Sequence, residues 1–237
     1  MKRFTRLLAA SAPGLVAIVS AGEIETFDLK NPPLPEPGKQ YRLVVHPGKK
    51  AKPITLLFVA DTSVAREPTE ETNGKRWTGF DSLIQVGFGE LPMSTEAGVV
   101  HVDVEDYNGD GYLDFRVPSN WGTGGTWYHY FRFNGKRYVP WKEPAELGIN
   151  HFDLKTKTAT ASARSGPSRH TAFYKIVGGR FLMTGREIYD QAEEIRNLVP
   201  KEITDEEYVL IKEEIRNGKV AKRTVTKKNP WDGEPER

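Results

Sequence analysis

An all-β fold built from antiparallel hairpins is what this 237-residue sequence predicts, on three observations. Short runs rich in β-branched and aromatic residues recur from Tyr41 onward. Three dipeptides of the type that closes tight hairpins, Asn134-Gly135, Gly178-Gly179 and Asn217-Gly218, each have strand-forming residues on both sides. Aromatic residues make up 11% of the chain and it has 22 glycines, which leans toward strands and tight turns.

The amino terminus reads as an export signal. Lys2, Arg3 and Arg6 form a basic head, Leu7 to Ala21 is apolar or small, and Val19-Ser20-Ala21 fits a signal-peptidase site. The run is too short to span a bilayer comfortably, and no other stretch is apolar enough, so no stable membrane insertion is expected. Residues 1–21 are therefore read as a signal peptide, and the mature protein is expected in the periplasm or outside the cell. The formal charge is +2, and without the three cations of that head it becomes −1, a poor balance for nucleic-acid binding. The chain has no cysteine, which excludes disulfides, thiolate metal sites and a cysteine nucleophile.

Residues 22–40 read as a flexible Pro-rich linker, because Asn31-Pro-Pro-Leu-Pro-Glu-Pro-Gly38 neither pairs as a central strand nor continues a helix. A β-rich domain is expected over 41–228. Its first strands are Tyr41–His46 and Ile54–Val59, followed by a polar loop from Asp61 to Gly79, then strands at Asp81–Phe88 and Val99–Val104. The first hairpin joins Tyr128–Phe133 to Lys136–Val139 through a type I′ turn at Asn134-Gly135. The second joins Phe173–Val177 to Arg180–Thr184 through Gly178-Gly179. Arg164-Ser165-Gly166-Pro167 reads as a turn, either a structural corner or a contact loop. Residues 186–200 read as helical or irregular. For Tyr208–Thr226 two readings compete. Thr204 and Glu207 form a capping-box pattern with Tyr208, Ile211 and Ile215 on one helical face. A hairpin through Asn217-Gly218 is favoured, because that turn explains both flanks. Residues 229–237 are a polar tail.

Between two strand patterns lies Asp106-Tyr-Asn108-Gly-Asp110-Gly111-Tyr112-Leu-Asp114. Asp106, Asn108, Asp110 and Asp114 occupy places one, three, five and nine, and Gly111 occupies place six, where the chain turns sharply. This register folds oxygen donors around one centre, with the Tyr112 carbonyl at place seven, and predicts one Ca2+. Place twelve, where an EF-hand carries a bidentate carboxylate, is Val117, and the flanks alternate as strands do. The expected site is therefore a strand–loop–strand calcium turn. A plain Asp/Asn/Gly turn without metal is the bland alternative.

These residues carry a resemblance. Asp-x-Asn-x-Asp-Gly-x-x-Asp between strands is shared with the FG-GAP turns of integrin-type propellers. The longer order is Val102–Phe115, Gly124-Gly-Thr-Trp-Tyr128, Phe131–Val139, Leu147–Phe152, Ala161–Gly166 and Tyr174–Leu182. It resembles periplasmic calcium-binding immunity proteins that inhibit peptidoglycan hydrolases delivered by a type IV secretion system, which are in turn similar to type I lysozyme inhibitors. The resemblance covers roughly residues 80–185. It implies a small propeller-like or lysozyme-inhibitor-type β-fold and a peptidoglycan hydrolase or lysozyme-like enzyme as partner. It also implies a contact loop at Gly124–Tyr128, where Gly125 and Tyr128 match the family's Ser-Gly-x-x-Tyr pattern and Gly124 stands in place of its serine. Trp127 and Tyr128 are suited to anchoring a partner, and equally to filling a core. The functional expectation is thus an exported inhibitor, with a calcium-dependent adhesion or glycan-binding module as the alternative. No catalytic role is expected. The five histidines show no metal-ligand spacing, and the sequence has no nucleophile elbow and no phosphate-binding glycine loop.

Overall fold

A computed structural model of the chain describes residues 24–48, 50–63, 66–68, 75–96 and 101–228. The expected signal peptide, the polar tail and part of the Asp61–Gly79 loop lie outside the described residues. Within them the chain is almost wholly β, with one short helix, as the turn and strand signals predict.

Three sheets follow one another along the chain. The first contains β1 (Ile24–Thr26), β2 (Gln40–Val45), β3 (Ile54–Ala60), β4 (Phe80–Gln85) and β5 (Gly89–Leu91). The second contains β6 (Asp103–Glu105), β7 (Asp114–Gly122), β8 (Gly125–Phe133) and β9 (Tyr138–Pro140). A helix α1 (Lys142–Glu146) leads to the third, made of β10 (Ile149–Asp153), β11 (Thr158–Ser165), β12 (Ser168–Val177), β13 (Arg180–Gln191), β14 (Tyr208–Arg216) and β15 (Lys219–Lys228). Each sheet runs in sequence order, and every pairing but β1–β2 is antiparallel. Among the described residues no sheet closes on itself, so the propeller likeness extends only to consecutive meanders.

The second sheet uses both faces. Along β8, Phe131 and Phe133 enter a core shared with the first sheet, alongside Tyr41, Leu56, Phe58 and Phe80. The alternate residue Tyr130, with Tyr128 beside it, enters a second core shared with Ile149, Tyr174 and Phe181 of the third sheet. Period-two alternation is what permits one strand to serve both cores. A smaller aliphatic cluster, including Ile188, Ile195, Val209 and Ile211, lies at the far end of the third sheet. Polar bridges join the layers. The Tyr138 backbone amide donates to buried Gln85 Oε1 at 2.7 Å. The Tyr130 hydroxyl donates to the Ile149 carbonyl. Arg116 Nη1 donates to the Asn150 carbonyl at 2.9 Å.

Three expectations need correction. From Ile24 onward the expected linker is docked rather than free: β1 pairs in parallel with β2, Phe27 enters the first core, and the Tyr41 hydroxyl donates to the Leu34 carbonyl. Prolines prevent a ladder between residues 31 and 38, yet they leave carbonyls and apolar rings to pack. The first hairpin has a four-residue loop, since Phe133 pairs with Tyr138. Asn134 keeps a negative φ and its side chain accepts hydrogen bonds from the Lys136 and Arg137 amides, an Asx-type arrangement that replaces the type I′ turn. Residues 186–191 continue β13, and only Arg196–Leu198 form a 3-10 turn. The polar side chains of Arg186, Glu187 and Asp190 hid a strand, in which Arg186 faces Glu213, Glu187 faces Lys212 and Asp190 faces Val209.

The other turns agree with their signals. At Gly178-Gly179 both φ values are positive, 56° and 74°, and at Asn217-Gly218 they are 52° and 73°. Both are the left-handed pair a type I′ hairpin requires. Residues 208–228 are therefore the hairpin β14–β15. Half of the rival capping box is also present, because the Thr204 amide donates to Glu207 Oε2 at 2.7 Å, but no helix follows.

Candidate functional site

The Asp106–Asp114 turn connects β6 to β7 and is held at both ends by core residues. Tyr107 is buried in the second core, with the Arg116 guanidinium 5.4 Å from its ring centroid. Tyr112 packs on the first core against Phe133, at 5.3 Å between ring centroids. The Leu113 amide donates to the Pro47 carbonyl at 2.6 Å. The turn thus bridges the two cores.

Inside the turn, acidic and amide side chains organise the backbone. Asp106 Oδ1 accepts from the Gly109 and Asp110 amides at 2.8 and 3.1 Å, and its Oδ2 accepts from the Gly111 amide at 2.9 Å. Asn108 Oδ1 accepts from the Asp110 amide, and Asp110 Oδ1 from the Tyr112 amide, both at 2.8 Å. Gly109 and Gly111 take positive φ values of 75° and 89°, which only glycine adopts without cost.

Asp114 differs from the other acids. It is fully buried, and its Oδ1 accepts from the Phe133 amide at 2.9 Å. Its Oδ2 has no partner. Four other buried side-chain polar atoms among the described residues share that condition, but only this one belongs to a carboxylate. Burial, together with the charges of Asp110 and Asp106, pushes the Asp114 carboxyl up to about 7, against the opposing pull of the Phe133 and Asn108 amides.

A calcium ion suits this chemistry. Asp106, Asn108, Asp110 and Asp114 side chains and the Tyr112 carbonyl are hard oxygen donors, and a cation would satisfy the orphaned Oδ2 and relieve the repulsion. As they stand, no group of three or more His, Cys, Asp or Glu side chains among the described residues is placed to hold a metal ion. Asp106 and Asp110 direct oxygens at the turn amides.

The expected contact loop is the tip of the β7–β8 hairpin. Trp121 pairs with Thr126, and Asn120 with Trp127, which puts the two tryptophans on opposite faces. Trp121 is 65% exposed and Trp127 44%. Tyr128 is half-buried, with the Arg116 guanidinium 4.1 Å from its ring centroid, and belongs to the second core. The glycines of the tip approach this chain itself. The Gly124 carbonyl accepts from the Arg164 amide at 3.1 Å, and a Cβ on Gly124 would lie 2.9 Å from the Arg164 carbonyl oxygen. Gly125 sits with its would-be Cβ 3.4 Å from the Ser162 carbonyl oxygen. The tip is thereby braced on the part of β11 that runs past its pairing with β10. The resemblance implied a contact loop here, and the sequence held no signal for this internal docking.

One further polar cluster was missed. Asp190 is 7% exposed and accepts from Ser168 Oγ at 2.5 Å and pairs with His170 Nε2 at 3.1 Å. Burial raises the Asp190 carboxyl and these hydrogen bonds more than offset it, leaving it lowered. Both partners bind the carboxylate, so the cluster lacks the serine–histidine hydrogen bond a nucleophile needs.

No helix among the described residues is long and apolar enough to cross a membrane. No protein-family model matches the chain, and no curated protein matches it. A solved structure described as that of a Xanthomonas type IV secretion system related protein is similar at 16% identity, over 78% of this chain and 98% of that one, with a TM-score of 0.45.

Proposed function

We propose that this chain is an exported, calcium-binding inhibitor of a peptidoglycan hydrolase. The observation that carries the binding reading is the β7–β8 tip, which presents exposed Trp121 and Trp127 on a backbone braced against β11. Rigid aromatic anchors of this kind dominate interface energies, because little entropy is lost when they dock. The choice of a hydrolase as partner rests on the sequence resemblance. Calcium, when bound, would supply positive charge to the Asp106–Asp114 turn and fix β7, the strand that carries Trp121.

The experiment is a titration of a lysozyme-like muramidase with the wild-type protein in calcium. Loss of activity at a defined stoichiometry is expected. Trp127→Ala is the informative variant, since this side chain is exposed and Tyr128 is not. It should weaken inhibition by about 2 kcal/mol or more while the melting temperature holds. A folded wild-type protein that leaves every muramidase tested fully active would sink the proposal.

A second reading has its own observation. Trp127 lines a groove of about 290 Å3 together with Ala161, Ser162 and Thr171. An aromatic ring beside small residues suits a saccharide ring. Binding on a glycan array without enzyme inhibition would favour a glycan-binding module.

A further inference from the structure

The outer strands of the three sheets are unequal. The first sheet ends in β1 and β5 and the second in β6 and β9, each three residues long, and the third begins with the five residues of β10. Such short margins leave little backbone for another chain to pair with. β15 is the exception. It has ten residues, pairs only with β14 among the described residues, and is exposed at eight of them. Every second residue of such a strand points its N–H and C=O away from the ladder. The register shifts beside Glu214 and Ile215, and from Lys222 to Lys228 it is unbroken. We propose that this stretch of β15 receives an extended acidic peptide segment of another protein as an added antiparallel strand. The proposal is independent of the calcium and hydrolase readings.

Charge selects the occupant. β15 contains Lys219, Lys222, Arg223, Lys227 and Lys228 and no acid. β14 is balanced, with Lys212 and Arg216 against Glu213 and Glu214, so the hairpin has five positive charges in excess. Arg223 and Lys227 pair with Glu213 and Glu207, both at 2.7 Å, and Lys222 stands 3.8 Å from Glu214. Lys219 and Lys228 make no ion pair among the described residues. Cations on an outer strand keep out uncharged and like-charged strands. A second copy paired antiparallel about Val225 would set Lys222 against Lys228 and Arg223 against Lys227, which is destabilising. An acidic strand turns the same side chains into attraction.

The pattern also sets the form of the partner. Arg223, Val225 and Lys227 lie opposite buried Glu213, Ile211 and Val209, and so share one face. Lys222, Thr224, Thr226 and Lys228 take the other. Cations thus stand at both ends of the stretch on both faces, with β-branched residues between them. A strand with acids at its ends and β-branched residues at its centre matches each position across the pair. Backbone hydrogen bonds would supply affinity, and these side chains the choice of partner.

The probe is the blocked peptide Glu-Glu-Thr-Val-Thr-Glu-Glu, labelled with fluorescein and followed by fluorescence polarisation as the full chain is added at low salt. Saturable binding is expected, and saturating peptide should slow amide exchange within residues 222–228 about tenfold. Replacing the valine of the peptide with proline keeps its charge and blocks the ladder, and should weaken binding about tenfold. Reversing the charge, in Lys-Lys-Thr-Val-Thr-Lys-Lys, should abolish it. In the protein, Lys222→Glu combined with Lys228→Glu should weaken binding of the acidic peptide about tenfold at an unchanged melting temperature. Failure of the acidic peptide to bind overturns the proposal. Equal binding of the proline peptide also overturns it, because the strand would then act only as a patch of charge. Equally tight binding of a short oligothymidylate or of phosphatidylglycerol vesicles, with no slowing of exchange by the peptide, would assign the cations to nucleic acid or to a membrane surface instead. Dimerisation of the protein alone in sedimentation, with exchange in 222–228 slowing as its concentration rises, would give the strand to a second copy and likewise overturn it.

Discussion

Asp114 and Glu213 are both buried carboxylates, and the protein treats them in opposite ways. Glu213 is 4% exposed, and the side chains of Arg186 and Arg223 both donate to it. Burial would raise its carboxyl, but those two hydrogen bonds and charges outweigh burial and leave it below the usual 4.5. A carboxyl lowered in the folded state contributes stability above its unfolded value, and that contribution is lost as pH falls through the folded value. Thermal stability should therefore drop below about pH 4.5, and Glu213→Gln should flatten that acid limb. Asp190, also lowered, keeps the limb from vanishing. An unchanged acid limb in Glu213→Gln would remove Glu213 from the account. Against Asp114 stand burial and the charges of Asp110 and Asp106, opposed only by the Phe133 and Asn108 amides. Replacing it with asparagine removes a repelled charge. At pH 8 in chelator, Asp114→Asn should be more stable than wild type by on the order of 1 kcal/mol. Wild type should gain melting temperature on addition of calcium by mass action, and the variant should not. Matching calcium responses in the two proteins, measured by scanning calorimetry, would take the ion away from this turn.

At the scale of single elements, glycines separate what a hairpin needs from what its neighbours need. Gly122 and Gly124 lie two residues apart on the β7–β8 tip, and neither has a positive φ. A Cβ at Gly122 would meet nothing within 4 Å, whereas one at Gly124 would press on the Arg164 carbonyl oxygen at 2.9 Å. Gly124→Ala should push the tip off β11 and cost about 1–3 kcal/mol, while Gly122→Ala should cost under about 0.5 kcal/mol. Equal melting temperatures for the two variants would mean that the tip is not braced there. The same contrast explains what could be read from sequence. Gly178-Gly179 and Asn217-Gly218 were legible because a type I′ turn is a local demand on two φ angles. Asn134-Gly135 carried the same signal and closes a longer loop, because the Asn134 side chain captures the next amides. The acidic turn was legible through its spacing, and its anchoring by Tyr107 and Tyr112 in different cores was not. Alternation shows that a side chain faces inward and does not say which of two cores receives it. Tyr128 was read as a partner anchor for the same reason, and only tertiary structure shows Arg116 stacked on it.

For the molecule as a whole, the three clusters are unequal in ways that set how it opens. The first core spans two sheets and contains tightly packed rings, such as Phe115 and Phe131 at 4.7 Å and Phe58 and Phe80 at 5.3 Å. The second is also aromatic and shares β8 with the first. Opening either exposes β8, so these two should unfold as one unit. The third cluster is aliphatic and small, and it draws only on the end of the third sheet and the residue 192–207 segment. β15 pairs only with β14, and eight of its ten residues are exposed. Its stability therefore comes from the ladder, the turn and surface ion pairs such as Lys227–Glu207, which contribute little in water. Units with little buried apolar area open at free energies below that of global unfolding. Amides of residues 208–228 should exchange well before those of β7 and β8 in native-state hydrogen exchange. Adding denaturant should bring the two classes together only near the global transition. Val209 is wholly buried in the small cluster, and Val209→Ala should speed exchange in β14 and β15 while leaving β7 and β8 protected. Uniform protection of β8 and β14, shifted equally by Val209→Ala, would show a single cooperative unit and overturn the division drawn from the cores.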